Sequence, residues 1–326
     1  MTATISIAAI LLLVLPRYST RPYTIPRDTL AVLLFPVVLY FNGWPHIDPL
    51  IAEMAAGMVA MWIISTVFSR NTVISVKHTL RFTAIMFIGL SAPPEAMPVI
   101  VGCGVISVIV MILQRWFKTG PYIHGLAGNS NMMGAFLVPV FFLSPYFVSG
   151  NEYLFAGIVI ILSLGLCITQ CRAAQTAWLV SISLLIHWIM IPFAVIIAAL
   201  VMPWPALNHR IEILKRCREQ LTWKTALTGL GVYNSRVVLT IYQDRIDQHR
   251  PRRAHNDIIQ MILDAGVVNA ALYIGIMALS IFRAYSTGNV YMAAALFAVL
   301  INGLAFHTQS ITIVSLVTWA LIGQVN

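Results

Sequence analysis

Arg252-Arg253-Ala254-His255-Asn256-Asp257-Ile258-Ile259-Gln260-Met261-Ile262-Leu263 is where this chain changes solvent. Behind it, back to Pro203, the sequence is polar and basic. Ahead of it, as far as Phe282, it is apolar apart from Gln260, Asp264, Asn269 and a few small residues. A helix needs about 20 such residues to cross a hydrocarbon core of about 30 Å. A titratable imidazole therefore stands where a basic loop meets a membrane-length helix. That position suits chemistry on an anionic lipid head group.

The composition says the same of the whole chain. Of 326 residues, 59% are hydrophobic and only 10% charged, against about 25% charged in soluble domains. Lipid admits only helices or closed barrels. Alternating ten-residue strands are absent, so the sequence predicts an all-α polytopic membrane protein with about eleven transmembrane helices. Spans are expected at Ile5–Leu15, Thr29–Phe41, Pro49–Phe68, Leu80–Ala92, Pro98–Leu113, Asn131–Val148 and Tyr153–Thr169. Further spans are expected at Asp257–Phe282, Val290–Phe306 and Ser310–Ile322. Between the two groups, Thr176–Met202 makes either one helix of about 40 Å or, split near His187-Trp188, two short legs. Connectors such as Asn42-Gly43-Trp44-Pro45 and Ala92-Pro93-Pro94 are short, and there is no repeat, so residues 1–326 read as a single membrane domain. Ile5–Leu15 has no basic leader and reads as a first span, not a signal peptide. The four cysteines are too few and too scattered for a disulfide framework, and without nearby His or acid ligands they suggest no metal site.

The basic loop, 203–254, contains ten Lys or Arg residues and four acids, and so accounts for +6 of the chain's net +9. Nucleic acid binds such a surface through its phosphates. This loop is tethered to the bilayer at both ends, so a membrane phosphate or pyrophosphate is the expected partner. Ile211, Leu214 and Leu221 fall at helical spacing, with Cys217 or Arg218 between them and Arg and Lys opposite, which predicts an amphipathic helix along the interface that ends near Gly229. Gly229-Leu230-Gly231 then offers a tight, open backbone where a bulky ligand can approach.

Several residues have two readings each. His255 is either a general base near neutral pH or a helix cap, and Asn256 and Asp257 suit capping. Arg172, in Gln170-Cys171-Arg172-Ala173-Ala174, either snorkels to head groups or holds a phosphate with its fixed fork. Arg210 faces the same choice. Gly128-Asn129-Ser130-Asn131 is either a turn with an N-cap or a source of amides for sugar hydroxyls. His307 and Gln309 read as turn residues. No phosphate-binding glycine loop, dinucleotide fingerprint or nucleophile elbow is present, so an enzyme built this way takes its donor from the membrane.

His255-Asn256, followed after nine residues by Gly266-Val267-Val268, resembles the motif of the O-antigen ligase and O-antigen polymerase superfamily. Gly128-Asn129-Ser130-Asn131, Gln170-Cys171-Arg172-Ala173-Ala174, and Arg210-Ile211-Glu212-Ile213-Leu214 followed by Gly229-Leu230-Gly231 are similar to its upstream segments, in the same order. The resemblance covers about Gly128 to Phe282. It implies a metal-independent, cofactor-free membrane glycosyltransferase of the GT-C type in the bacterial inner membrane, with its site facing the periplasm. The implied donor is a glycan on undecaprenyl pyrophosphate, and the implied acceptor is a hydroxyl of lipid A core or of a growing glycan. Arg172 and Arg210 would hold the pyrophosphate and His255 would act on the acceptor. Asn129, Asn131, Asn256, Gly229, Gly231 and Arg253 would line the substrates.

Charge points the other way on orientation. If Thr176–Met202 crosses twice, 19 of the 20 Lys and Arg residues share one face and only Arg283 lies on the other. The positive-inside rule assigns that face to the cytoplasm. Phosphate-binding arginines must gather where the donor head group sits, which favours the periplasmic assignment. A transporter or flippase is the chief rival. It would show repeats and broken helices in corresponding halves, and the sequence shows neither.

Overall fold

The computed structural model describes residues 2–14, 27–117, 130–148, 150–192, 194–196, 204–235, 254, 256–306 and 308–325. Within them the chain is all-helical. The helices are α1 (Thr2–Val14), α2 (Arg27–Asn42), α3 (Pro49–Val67), α4 (Thr72–Leu90), α5 (Ala96–Trp116), α6 (Ser130–Phe142) and α7 (Ser144–Phe147). They continue with α8 (Glu152–Thr169), α9 (Arg172–Ile186), α10 (Trp204–Glu219), α11 (Trp223–Thr228), α12 (Asp257–Ser286), α13 (Val290–Ala305) and α14 (Thr312–Gly323). Five of them, α3, α4, α5, α8 and α12, are long and apolar enough to cross a membrane. By length and composition this is a multi-pass membrane protein.

Asparagine and aspartate in the connectors start the helices. Asp48 caps α3, its carboxylate accepting from Leu50 N at 2.9 Å and Ile51 N at 3.2 Å. Asn71, Asn151 and Asn289 cap α4, α8 and α13 in the same way. Each satisfies a backbone N–H that the helix itself leaves orphaned.

Contacts between connectors define two ends of the bundle. At one end Asp48 pairs with Arg283, Tyr146 Oη hydrogen-bonds Asn289 Oδ1 at 2.5 Å, and Gly323 lies against the Leu90 carbonyl. The Arg283 guanidinium holds the Asp48 carboxyl below the usual carboxylate range. At the other end Cys171 Sγ reaches Asn131 O at 3.9 Å and Asn256 Nδ2 donates to Leu304 O at 2.8 Å. Among the described Lys and Arg residues only Arg283 sits at the first end. The second is the basic end.

One element begins earlier than expected, and at two others the structure refines what the sequence left open. The span expected at Leu80 begins at Thr72 and carries Lys77, His78 and Arg81 into its first turns. Arg81 is only 4% exposed, because its Nη2 donates to Thr312 Oγ1 at 3.0 Å and its guanidinium lies 5.0 Å from the Phe82 ring centre. The stretch Thr176–Met202 is not one helix. α9 ends at Ile186, His187 is extended (φ −171°, ψ 138°), and a 3₁₀ turn follows at Trp188–Met190. On the face of α10 expected to lie along the interface Ile211 and Leu214 are exposed, and the helix ends at Glu219, before Leu221. The buried pair is Ile213 and Cys217, which pack against Leu230, Ala254 and Leu263.

Candidate active site at the basic end

The basic end collects the described members of the predicted site. Arg172 opens α9 and is exposed, and among the described residues none holds its guanidinium by hydrogen bond or ion pair. Asn131 is exposed in the first turn of α6, next to Cys171. α10, which carries Arg210 one turn before Ile213, docks at this end through Ile213 and Cys217. Asn129, Arg253, His255 and the side chain of Arg210 lie outside the described residues.

Asn256 has a structural task. Its Oδ1 accepts from Ile259 N at 3.0 Å to cap α12, and its Nδ2 donates to Leu304 O. The backbone of Gly229 and Gly231 is not open. Both glycines are buried with positive φ (74° and 101°), and a Cβ on Gly229 would lie 2.4 Å from Asp264 O. A Cβ on Gly231 would lie 2.2 Å from Ser69 Cβ. What approaches these glycines is the protein itself: α12 at Gly229, and Ser69, Ser75 and Asn234 at Gly231.

α12 is broken at Gly266 (φ 87°, ψ 169°), whose own Cβ would meet Leu227 O at 2.1 Å. A broken helix frees carbonyls that need donors. Leu230 N donates to Leu263 O at 2.7 Å and Ser65 Oγ to Asp264 O at 2.5 Å. Gly229 and Gly266 are thus two halves of one contact, in which the loop after α11 enters the gap that it helps to satisfy.

Below the surface runs a polar seam on α12 that loop-based reasoning passed over. Asp257 accepts from Gln309 N at 3.1 Å and from Thr308 Oγ1, which ties the start of α12 to the α13–α14 connector. Asp264 accepts from Ser235 Oγ at 2.7 Å and Gln260 Nε2 at 2.9 Å, and Gln260 Oε1 accepts from Ala254 N at 3.0 Å. The available signal was the spacing of Asp257, Gln260 and Asp264, which places three polar residues on one face of an otherwise apolar helix. Gln309, expected in a turn, sits in a 3₁₀ turn but is buried, its Nε2 donating to Thr318 Oγ1 at 3.1 Å.

An exposed guanidinium on a rigid helix start beside surface amides can bind a phosphate bidentately. No family model matches the chain, and neither does any curated protein.

Proposed function

We propose that the protein is a membrane glycosyltransferase of the O-antigen ligase kind, transferring a glycan from undecaprenyl pyrophosphate to a hydroxyl of lipid A core. In this reading the chain crosses a bacterial inner membrane about eleven times and the basic end faces the periplasm. The observation that carries the reading is the exposed Arg172 guanidinium, which shares one end of the bundle with Asn131, α10 and the start of α12. His255, Arg253 and Asn129 enter through the resemblance alone.

The acceptor oxygen attacks the anomeric carbon as its proton passes to His255. The bond to the pyrophosphate breaks with its electron pair leaving on the diphosphate. Arg172 and Arg210 stabilise the charge that builds there, and fixed cations aimed at developing charge usually supply the largest catalytic contribution. Direct displacement inverts the anomeric centre.

The test is glycan transfer by purified protein in nanodiscs supplied with lipid-linked donor and lipid A core. Arg172→Ala and Arg210→Ala are each expected to lower the rate by about 10²–10³-fold, and Arg172→Lys should recover only part of it. Elongation of the lipid-linked glycan in place of transfer to lipid A core identifies a polymerase. The broken α12 favours one other reading, a lipid-linked glycan flippase. Movement of the donor across the bilayer with no transfer would establish that instead, and full activity in His255→Ala would exclude the proposed chemistry.

A further inference from the structure

The hairpin formed by α10 and α11 is packed on one side only. Ile213 and Cys217 bury the side of α10 that meets the bundle. With about 3.6 residues to a turn, Ile211, Leu214 and Arg218 fall on a second stripe, roughly a third of a turn from that contact. Both apolar members of the stripe are exposed. α11 repeats the pattern: Thr225 is buried, while Trp223 (79% exposed) and Leu227 (51% exposed), four residues apart, share the outer face.

Position and charge say what covers this outer face. α11 touches α12 and the end of α3. There Val67 and Phe68 of α3 are exposed, and so are Val267 and Val268, which follow the Gly266 break in α12. Exposed apolar side chains on membrane-length helices face lipid, so Trp223 and Leu227 prolong a lipid-facing surface at the depth where α3 ends. Tryptophan is enriched at that depth. Lys215, Arg218 and Lys224 are exposed among these side chains, and residues 204–228 carry five Lys or Arg against two Glu. Apolar groups interleaved with cations fit a bilayer surface that bears negative phosphates.

We propose that the α10–α11 hairpin docks on anionic phospholipid head groups of the bilayer that the bundle spans, and that this docking holds the chain after α11 in the break of α12. The mechanical link is short. Trp223 and Leu227 meet lipid on the outer face of α11, the Leu227 carbonyl lies against Gly266, and three residues on Leu230 N donates to Leu263 O. A hairpin that lifts from the surface loosens the contacts that fill the break. Anionic lipid is thereby a regulator of α12. The inference rests on membrane residence and not on glycan transfer, so either can fail without the other.

The experiment places the full-length protein in nanodiscs of phosphatidylglycerol or of phosphatidylcholine. Undocking is read as maleimide labelling of Cys217, buried in the α10 contact, relative to Cys167, which is exposed at the same end of the bundle. The ratio is expected to be about tenfold lower in phosphatidylglycerol, through the pull of an anionic surface on three basic side chains. The difference should vanish near 1 M salt, where charges are screened within about 3 Å. In the triple variant Lys215→Gln, Arg218→Gln, Lys224→Gln, whose altered side chains are all exposed, the two lipids should give equal ratios. Contact is read separately: acyl chains brominated near the head group should quench the part of the tryptophan fluorescence that Trp223→Phe removes. Equal labelling of wild-type Cys217 in the two lipids would overturn the regulation. A Trp223 signal untouched by brominated lipid would overturn the docking itself and leave a partner protein as the cover.

Discussion

Asn256 shows how one residue serves two elements. It caps α12 and holds the end of α13 through Leu304 O. Asn256→Ala is expected to cost about 1–3 kcal/mol, the sum of a lost cap and a lost hydrogen bond, read as a lower thermal midpoint. Cys217 makes a second prediction at this scale. Burial in the α10 contact pushes its thiol up to about 11, so the thiolate that reacts with maleimides is scarce near neutrality. Labelling of Cys217 at about pH 8 should be slow in the folded protein and fast once α10 is undocked. Because the folded state holds this proton more tightly, the stabilisation is complete below the ordinary thiol range. It fades as pH rises from about 9 toward 11. Capping by Asn256 was legible in the sequence, since an Asn ahead of an apolar run has few other local uses. What Cys217 packs against was not, because Leu230 and Leu263 lie in other elements and only the fold brings them to α10.

At the scale of elements, α12 and the loop after α11 form one unit. Gly266→Ala forces a side chain at φ 87° and into contact with Leu227 O, and Gly229→Ala does the same against Asp264 O. Each should cost about 3 kcal/mol or more, seen as loss of a cooperative melt or of folded yield. A membrane-length apolar helix was evident from Asp257 to Phe282. Its break was not, since a lone Gly inside a span is common and its backbone angles depend on what fills the gap. Lys77, His78 and Arg81 hid the first turns of α4 for a related reason: their charge reads as solvent-facing until Thr312 and Phe82 are seen beside Arg81.

At the scale of the molecule, the separation of charge between the two ends makes orientation the sharpest question. Reporter fusions at Gln248, in the basic loop, and at Thr287, beside Arg283, are expected to report periplasm and cytoplasm respectively. A cytoplasmic Gln248 would place Arg172 away from the donor head group and remove the basis for glycan transfer. The same result would agree with the positive-inside rule.

Membrane residence and helical class were determined by the sequence itself, because a chain that is 59% hydrophobic and 10% charged can be solvated only by lipid and must satisfy its backbone within helices. The gathering of Arg172, Asn131 and α10 at one end was decided only by tertiary structure, as was the polar seam from Asp257 to Asn269. The physical reason is the same in both cases. Hydropathy reports how much of a residue prefers to leave water, whereas partners far apart in the chain, such as Gln309 for Asp257, Ser235 for Asp264 and Leu230 for the carbonyl of Leu263, decide what it meets there.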